Sequence, residues 1–212
     1  MPDDAWASER ERLVTRIERH AGVTDPRVLD AFRRVPRERF VPEAQRPYAY
    51  DDRALPIGEG QTISQPSMIA IMLAALECDP GDRALEVGAG SGYAAALLAQ
   101  LVAEVHAVEI KPWLAELARR TLAEVGVENV HVYASDGSVG LAEHAPYQRI
   151  LISAGAATVP PALLEQLAPH GVIAIPVGDD LGQMLLVGRR EPAGEVVWRH
   201  SVPCMFVPLV GS

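Results

Sequence analysis

The chain has 212 residues, 49% hydrophobic and 22% charged, with a formal net charge of −9. That is material for one sizeable core and at most one domain with a small appendage. The acidic excess argues against a nucleic-acid partner, which would need phosphate neutralisation, and no apolar run is long enough to span a bilayer, so no membrane partner is expected.

The start, MPDDAWASERERLV, mixes acids and bases and lacks the basic-then-apolar pattern of a secretory leader. Residues 1–53 balance eleven Arg against eleven acids; the remainder holds eight basic and seventeen acidic residues and supplies the whole excess. Cys78 and Cys204 lie far apart without metal-ligand spacing. Reduced thiols, no metal and a cytoplasmic location are the expectations.

Residues 8–19 and 26–34 read as two short helices; Leu13 and Ile17 share one face, and Val28, Leu29 and Phe32 another. Pro36 and Pro42 in VPRERFVP cannot continue the second. From Pro47 to Gln61 the pattern predicts an ordered loop punctuated by Pro56, Gly58 and Gly60. A helix follows, with Met68, Ile69, Met72, Leu73 and Leu76 at helical spacing. The stretch before it, GQTISQP, is polar but uncharged.

From Asp82 onward, short apolar runs (ALEVG, EVHAVEI, NVHVYAS, RILISAG, GVIAIPVG) alternate with helical segments at 93–103, 112–125 and 160–168. The middle helix has one stripe of Trp113, Leu114, Leu117, Ala118, Leu122 and Val125. Near-continuous apolar strands between helices predict an α/β fold, a doubly wound parallel sheet covered on both faces. Met184–Val187 and Val196–Val207, joined by a polar turn without a helix, predict an antiparallel edge.

The first of these strands ends in LEVGAGSGY, residues 85–93. Glycines at 88, 90 and 92 let the backbone turn sharply and approach a ligand. Tyr93 stands where a dinucleotide fingerprint needs Gly, and no Gly-Lys-Ser/Thr ending marks a phosphate loop. GxGxG with an acid, Glu86, two residues ahead is similar to the S-adenosylmethionine (SAM) methyltransferases, and a Rossmann-like methyltransferase sheet is expected. Ala89, Ser91 and the three glycines then form the cofactor loop. Glu109, at the next strand end, would accept hydrogen bonds from both ribose hydroxyls, with Ile110 beside it. Ser135, Asp136 and Gly137, at the third, would meet the adenine amino group. Alternatives stand beside each: Glu86 in a salt bridge, Glu109 capping the helix near Pro112, Asp136-Gly137 as a plain turn.

The chain closely resembles the protein-L-isoaspartate O-methyltransferases. The matching pieces are RVPRERFVP, AYDDRALPIGEGQTISQPSMIA, the LEVGAGSGY block, APYQRILISAGAATVPPALLEQL, GVIAIPVG and FVPLVG, from about residue 25 onward. The resemblance implies that residues 1–212 form one domain, with N-terminal helices and substrate loop in 1–78 and the cofactor-binding sheet and C-terminal strands in 79–212. It also implies methyl transfer from SAM to the free α-carboxylate of isoaspartyl residues in damaged proteins and peptides, whose ester recyclises to a succinimide. A monomer is expected.

By the same resemblance, Ser64 donates to the substrate carboxylate. The competing role is helix capping, although with Pro66 at the first helical position the cap falls on Gln65. Ile57 and Gly58 would offer backbone groups to an extended peptide, Thr62 and Gln61 would support the loop or reach the cofactor, and Met205 would line the pocket with Phe206 and Val207. For Phe206 a core position is preferred. A carboxylate nucleophile is ionised at pH 7, its reference pKa being about 3.5, so no general base is required. The six His show no clustering in the sequence; His20, His144 and His200 are expected at the surface, and His106 and His131 on strand faces.

Three positions depart from the family pattern: Ser135 replaces a Gly, Gln148 an Asp, and Gly155 interrupts an AAAP block, which leaves substrate affinity beside Gly155 open. The other readings are an enzyme tailoring ordinary aspartate in one peptide, a SAM-binding module without catalysis, disfavoured by the intact Ser64 region, and a nicotinamide oxidoreductase, disfavoured by Tyr93.

Overall fold

The structure is a computed structural model that describes residues 5–179 and 181–211; the MPDD of the opening stretch lies outside them. Helix α1 (Ala7–Ala21) buries Leu13, Val14 and Ile17. Helix α2 (Pro26–Arg34) starts where the Asp25 carboxylate accepts the Arg27 amide at 2.9 Å, ahead of a proline that lacks the donor. Both helices pack on α3 (Pro66–Leu76), and α2 also meets α4 (Tyr93–Leu98).

The segment expected as a loop is a hairpin instead. Strands β1 (Leu55–Gly58) and β2 (Gln61–Ile63) pair antiparallel. Gly58, Glu59 and Gly60 all take positive φ, at 99°, 52° and 72°, which two glycines adopt without a steric penalty.

The main sheet has seven strands in the order β5-β4-β3-β6-β7-β8-β9. They are β3 (Arg83–Val87), β4 (Glu104–Glu109), β5 (Val130–Ala134), β6 (Tyr147–Ile152), β7 (Leu167–Asp179), β8 (Gly182–Arg190) and β9 (Val196–Cys204). The first five are parallel, and β8 and β9 run antiparallel at the edge, as the helix-free C-terminal pattern predicts. Helix α5 (Pro112–Glu124) matches its expected span. The segment 93–103 is helical to Leu98, and α6 (Pro161–Glu165) stops early because β7 begins at Leu167.

One apolar cluster, with Ile17, Phe32, Leu73 and Leu97, fills the space between the sheet and helices α1 to α4. A second, with Leu85, Val87, Ile150, Ile152 and Leu163, covers the opposite face. Each such fully buried aliphatic side chain contributes about 1.5–3 kcal/mol. Trp113 leaves the expected core stripe: it is 52% exposed, and its ring lies 3.3 Å from where a Cβ on Gly58 would sit.

The histidines do cluster, against the expectation. The β4–β5 register sets His106 opposite His131, and a 3-10 turn at Ala142–His144 lays the His144 ring 4.2 Å from His106. The Tyr133 hydroxyl lies 3.2 Å from His106 Nδ1 and 3.0 Å from His144 Nε2. Burial pushes the His106 pKa down.

Candidate active site

The strand order reverses around β3: the chain leaves it toward β4 and β5, then crosses back to β6 on its other side. Open α/β sheets bind ligands outside the carboxyl ends of strands at such a switch point. Three clefts open there, and Thr62 and Ser153 line all of them.

The first cleft runs past Gly88, Gly90, Glu109, Ile110 and Gly137. Glu109 is buried; its Oε2 accepts the Gly90 amide at 2.7 Å and its Oε1 the Lys111 amide at 2.9 Å. The bond to Lys111, the N-cap residue of α5, fixes the approach to that helix without capping its first-turn amides, and the same carboxylate ties down the glycine loop. A carboxylate has about four lone-pair sites, so capacity for two hydroxyl donors remains. Gly137 also lines this cleft, and a Cβ there would meet Val87 Cγ1 at 2.5 Å, so the position has no room for a side chain. Ser135 and Asp136 are not among the lining residues. Ser135 is exposed, and the Asp136 carboxylate accepts the Ser138 amide at 2.8 Å, the turn geometry of the alternative.

The second cleft holds Glu86, Gly88, Ala89, Gly90, Ser91 and Ser64. Glycines 88, 90 and 92 take φ of 86°, 54° and 86°, conformations that L side chains rarely adopt. Gly92 itself faces α5, where a Cβ would sit 3.1 Å from Ala118. Glu86 is wholly buried, and no salt bridge holds it among the described residues. Its Oε1 accepts the Ser153 hydroxyl at 3.1 Å, while Oε2 has no partner. Burial, reinforced by nearby Glu109, pushes its carboxyl up to about 8.

The third cleft lies between the hairpin and the C-terminal tail, with Ala54, Thr62, Ser64, Met68, Met205 and Phe206 on its walls. Among the described residues, no charged one lines it. Met205 is 63% exposed at the rim, whereas Phe206 is buried as preferred. Ile57 and Gly58 line none of the three clefts. Ile57 is buried, its Cδ1 3.2 Å from where a Cβ on Gly90 would be, so the hairpin sits directly on the glycine loop.

Ser64 is where the second and third clefts meet, and it does not cap α3. The N-cap is Gln65, without a side-chain cap bond. Asp52 does that work, accepting the Ser67 amide at 2.9 Å and the Gln65 side chain at 3.2 Å. The Ser64 hydroxyl makes no hydrogen bond among the described residues, and its carbonyl accepts from buried Arg37 at 2.9 Å. The Arg37 guanidinium stacks 4.9 Å from the centre of the Tyr93 ring. Tyr93, which breaks the dinucleotide fingerprint, thus points into the N-terminal helices.

Sequence reasoning missed Ser153, Lys111 and the tail from Pro208 to Val210, all of which line the first cleft, whereas Val207, expected at the pocket, lines both the first and the third. Ser153 had a signal: it ends the strand beside β3, once β6 is known to be that strand. Gln148, one of the departures from the family pattern, accepts the Arg83 amide at 2.9 Å at the far ends of the strands.

A family model described as protein-L-isoaspartate(D-aspartate) O-methyltransferase (PCMT) matches residues 8–212. The chain belongs to this family. Within the protein-L-isoaspartate O-methyltransferase family, a relative from Roseiflexus sp. (strain RS-1) is 49% identical over 208 residues, 98% of this chain and 94% of its own length. Another, from Aeropyrum pernix, is 48% identical over 213 residues, 99% and 82% of the two chains. A solved protein-L-isoaspartate O-methyltransferase superposes with a TM-score of 0.85 at 30% identity, over 95% of this chain and 66% of that one. A Plasmodium falciparum protein solved with S-adenosyl-L-homocysteine has the same fold, with a TM-score of 0.82 at 22% identity over 95% and 98% of the chains.

The site fits the cofactor of this family. Its polar ends are met by a buried carboxylate with an orphaned oxygen at Glu86 and a second at Glu109, and the glycine loop between them leaves room for close approach. An ammonium group placed against Glu86 would favour the ionised carboxylate. Without it, ionisation costs stability, so the ligand-free protein loses stability as pH rises from about 4.5 through about 8. Binding of S-adenosyl-L-homocysteine at pH 7 should therefore release protons. Calorimetric titration in two buffers of different ionisation enthalpy reads this directly; equal heats in both would show that Glu86 does not change its protonation on binding.

Proposed function

We propose that the chain transfers the methyl group of SAM to the free α-carboxylate of L-isoaspartyl residues in damaged proteins and peptides, the step that starts repair through a succinimide. The observation that carries this is Ser64: a hydroxyl without a partner among the described residues, where the glycine-loop cleft meets a cleft with uncharged walls. When bound, the cofactor supplies an electrophilic methyl group on a sulfonium.

The protein's own residues then have a restricted task. Glu109 accepts the ribose hydroxyls, the Asp136-Gly137 turn meets the adenine, and Glu86 takes the amino-acid end. Ser64 donates to the substrate carboxylate and orients it without neutralising it, as an Arg would. A carboxylate is ionised at pH 7 with a reference pKa of about 3.5, so no base is needed, and among the described residues no His lines the three clefts. Rate acceleration then rests on placing the anion in line with the methyl group. Charge is lost as anion meets cation, so a water-poor crevice favours the transfer.

A peptide cleft shared among many damaged substrates should read backbone and carboxylate rather than side chains. Thr62 and Met205 border it, and Ile57 and Gly58 hold the hairpin that forms one wall. Residues 1–212 are taken as one domain acting as a cytoplasmic monomer. The net charge of −9 supports the absence of a nucleic-acid partner. No helix among the described residues is long and apolar enough to cross a membrane.

The test offers labelled SAM with two peptides that differ only in isoaspartate versus aspartate. Base-labile methyl ester should appear on the first alone. Equal labelling of both would favour an enzyme that acts on ordinary aspartate, and labelling of neither would remove the proposal.

A further inference from the structure

Beyond β9 the chain continues as a tail that touches both ligand clefts. Met205, Phe206 and Val207 wall the peptide cleft, and Val207 to Val210 wall the cofactor cleft. Gly211 then reaches the Asp136 turn, where a Cβ on it would stand 2.1 Å from Ser138 Oγ and 3.0 Å from Asp136 Oδ1. The seven residues from Met205 to Gly211 thus run the length of the crevice without belonging to a long strand.

Two residues fasten this tail. The Gln183 side chain on β8 is buried, and its carboxamide pairs with one backbone unit: Oε1 accepts the Phe206 amide at 2.8 Å, and Nε2 donates to the Phe206 carbonyl at 3.1 Å. Gly155 holds the next stretch, its amide donating to the Val207 carbonyl at 2.8 Å and its carbonyl accepting the Leu209 amide at 2.7 Å. The two are matched in space. A Cβ on Gly155 would lie 2.4 Å from Gln183 Nε2, so the missing side chain at 155 makes room for the carboxamide.

We infer that Gln183 and Gly155 form a clamp that sets the register of the tail, making Gln183 a positioning residue that links cofactor binding to the shape of the peptide cleft. A cofactor seated against Val207–Val210 presses on the strap whose other end carries Met205 and Phe206. Gln183 reaches no cleft except through that backbone. The inference rests on assigning the third cleft to the peptide.

Two variants attack the clamp from opposite sides: Gln183→Met keeps the length but removes both hydrogen bonds, and Gly155→Ala keeps the glutamine but crowds it. In the wild-type protein S-adenosyl-L-homocysteine should slow hydrogen exchange at the Phe206 amide. In both variants that amide should exchange about a hundredfold faster and lose its response to the ligand. KM for an isoaspartyl peptide should rise about tenfold with kcat within about twofold of wild type. Gln183→Glu, which still accepts the amide and can donate to the carbonyl only when protonated, should fall between. Unchanged Phe206 exchange in both variants, or an unchanged KM in both, would overturn the clamp. If the wild-type protein methylates no isoaspartyl peptide, the functional reading fails, while the exchange measurements still decide whether the clamp exists.

Discussion

Glu109→Ala should cost about 3 kcal/mol in binding S-adenosyl-L-homocysteine, on the order of a hundredfold in Kd. The size follows from what one carboxylate does. In the ligand-free protein it already fixes the Gly90 and Lys111 amides, at 2.7 and 2.9 Å, so the cofactor loop and the head of α5 are set before the ligand arrives. Ribose hydroxyls then add charge-assisted bonds of about 1.5–3 kcal/mol each. Glu109→Gln, with the same shape but no charge and one acceptor fewer, should lose less. Calorimetric or fluorescence titration measures both. A Kd within about threefold of wild type for the alanine variant would mean that Glu109 serves the fold and not the ligand.

Ser64→Ala should lower kcat/KM for an isoaspartyl peptide by a factor equivalent to about 1–3 kcal/mol, the loss of one hydrogen bond to a charged group. Its affinity for S-adenosyl-L-homocysteine and its melting temperature should hardly move, since the hydroxyl has no partner within the described protein. Asp52→Ala should behave in the opposite way. It removes the acceptor that caps α3 and should cost about 1 kcal/mol of stability, a fall of about 2–4 °C in Tm. A Ser64→Ala protein that melts early with normal kinetics would return the hydroxyl to a structural role.

The parts of this fold legible in the sequence are those with local signals. Near-continuous apolar runs such as GVIAIPVG mark strands buried on both faces, and the LEVGAGSG turn needs glycine wherever φ becomes positive. The hairpin over the glycine loop was not legible. Its strands have four and three residues, one of them Pro56, too short for any period to show. The histidine cluster depends on strand register and a distant turn, neither of which spacing reveals.

The site divides in the same way. Glu86, Glu109 and the glycines sit at strand ends and could be placed by counting. Ser153 and the tail matter only through which strands are neighbours, a property of topology. Gly155 looked like a departure that put the crevice in doubt. Its reason is a contact with Gln183, 28 residues further on, which no local pattern carries.

The central claim is that Ser64 holds the carboxylate to be methylated. The structure of a complex with S-adenosyl-L-homocysteine and an isoaspartyl peptide tests it in one measurement. A substrate carboxylate oxygen should lie within about 2.5–3.0 Å of Ser64 Oγ, on the cofactor side of the cleft. A carboxylate bound by other groups, with Ser64 turned back to cap α3, would contradict it.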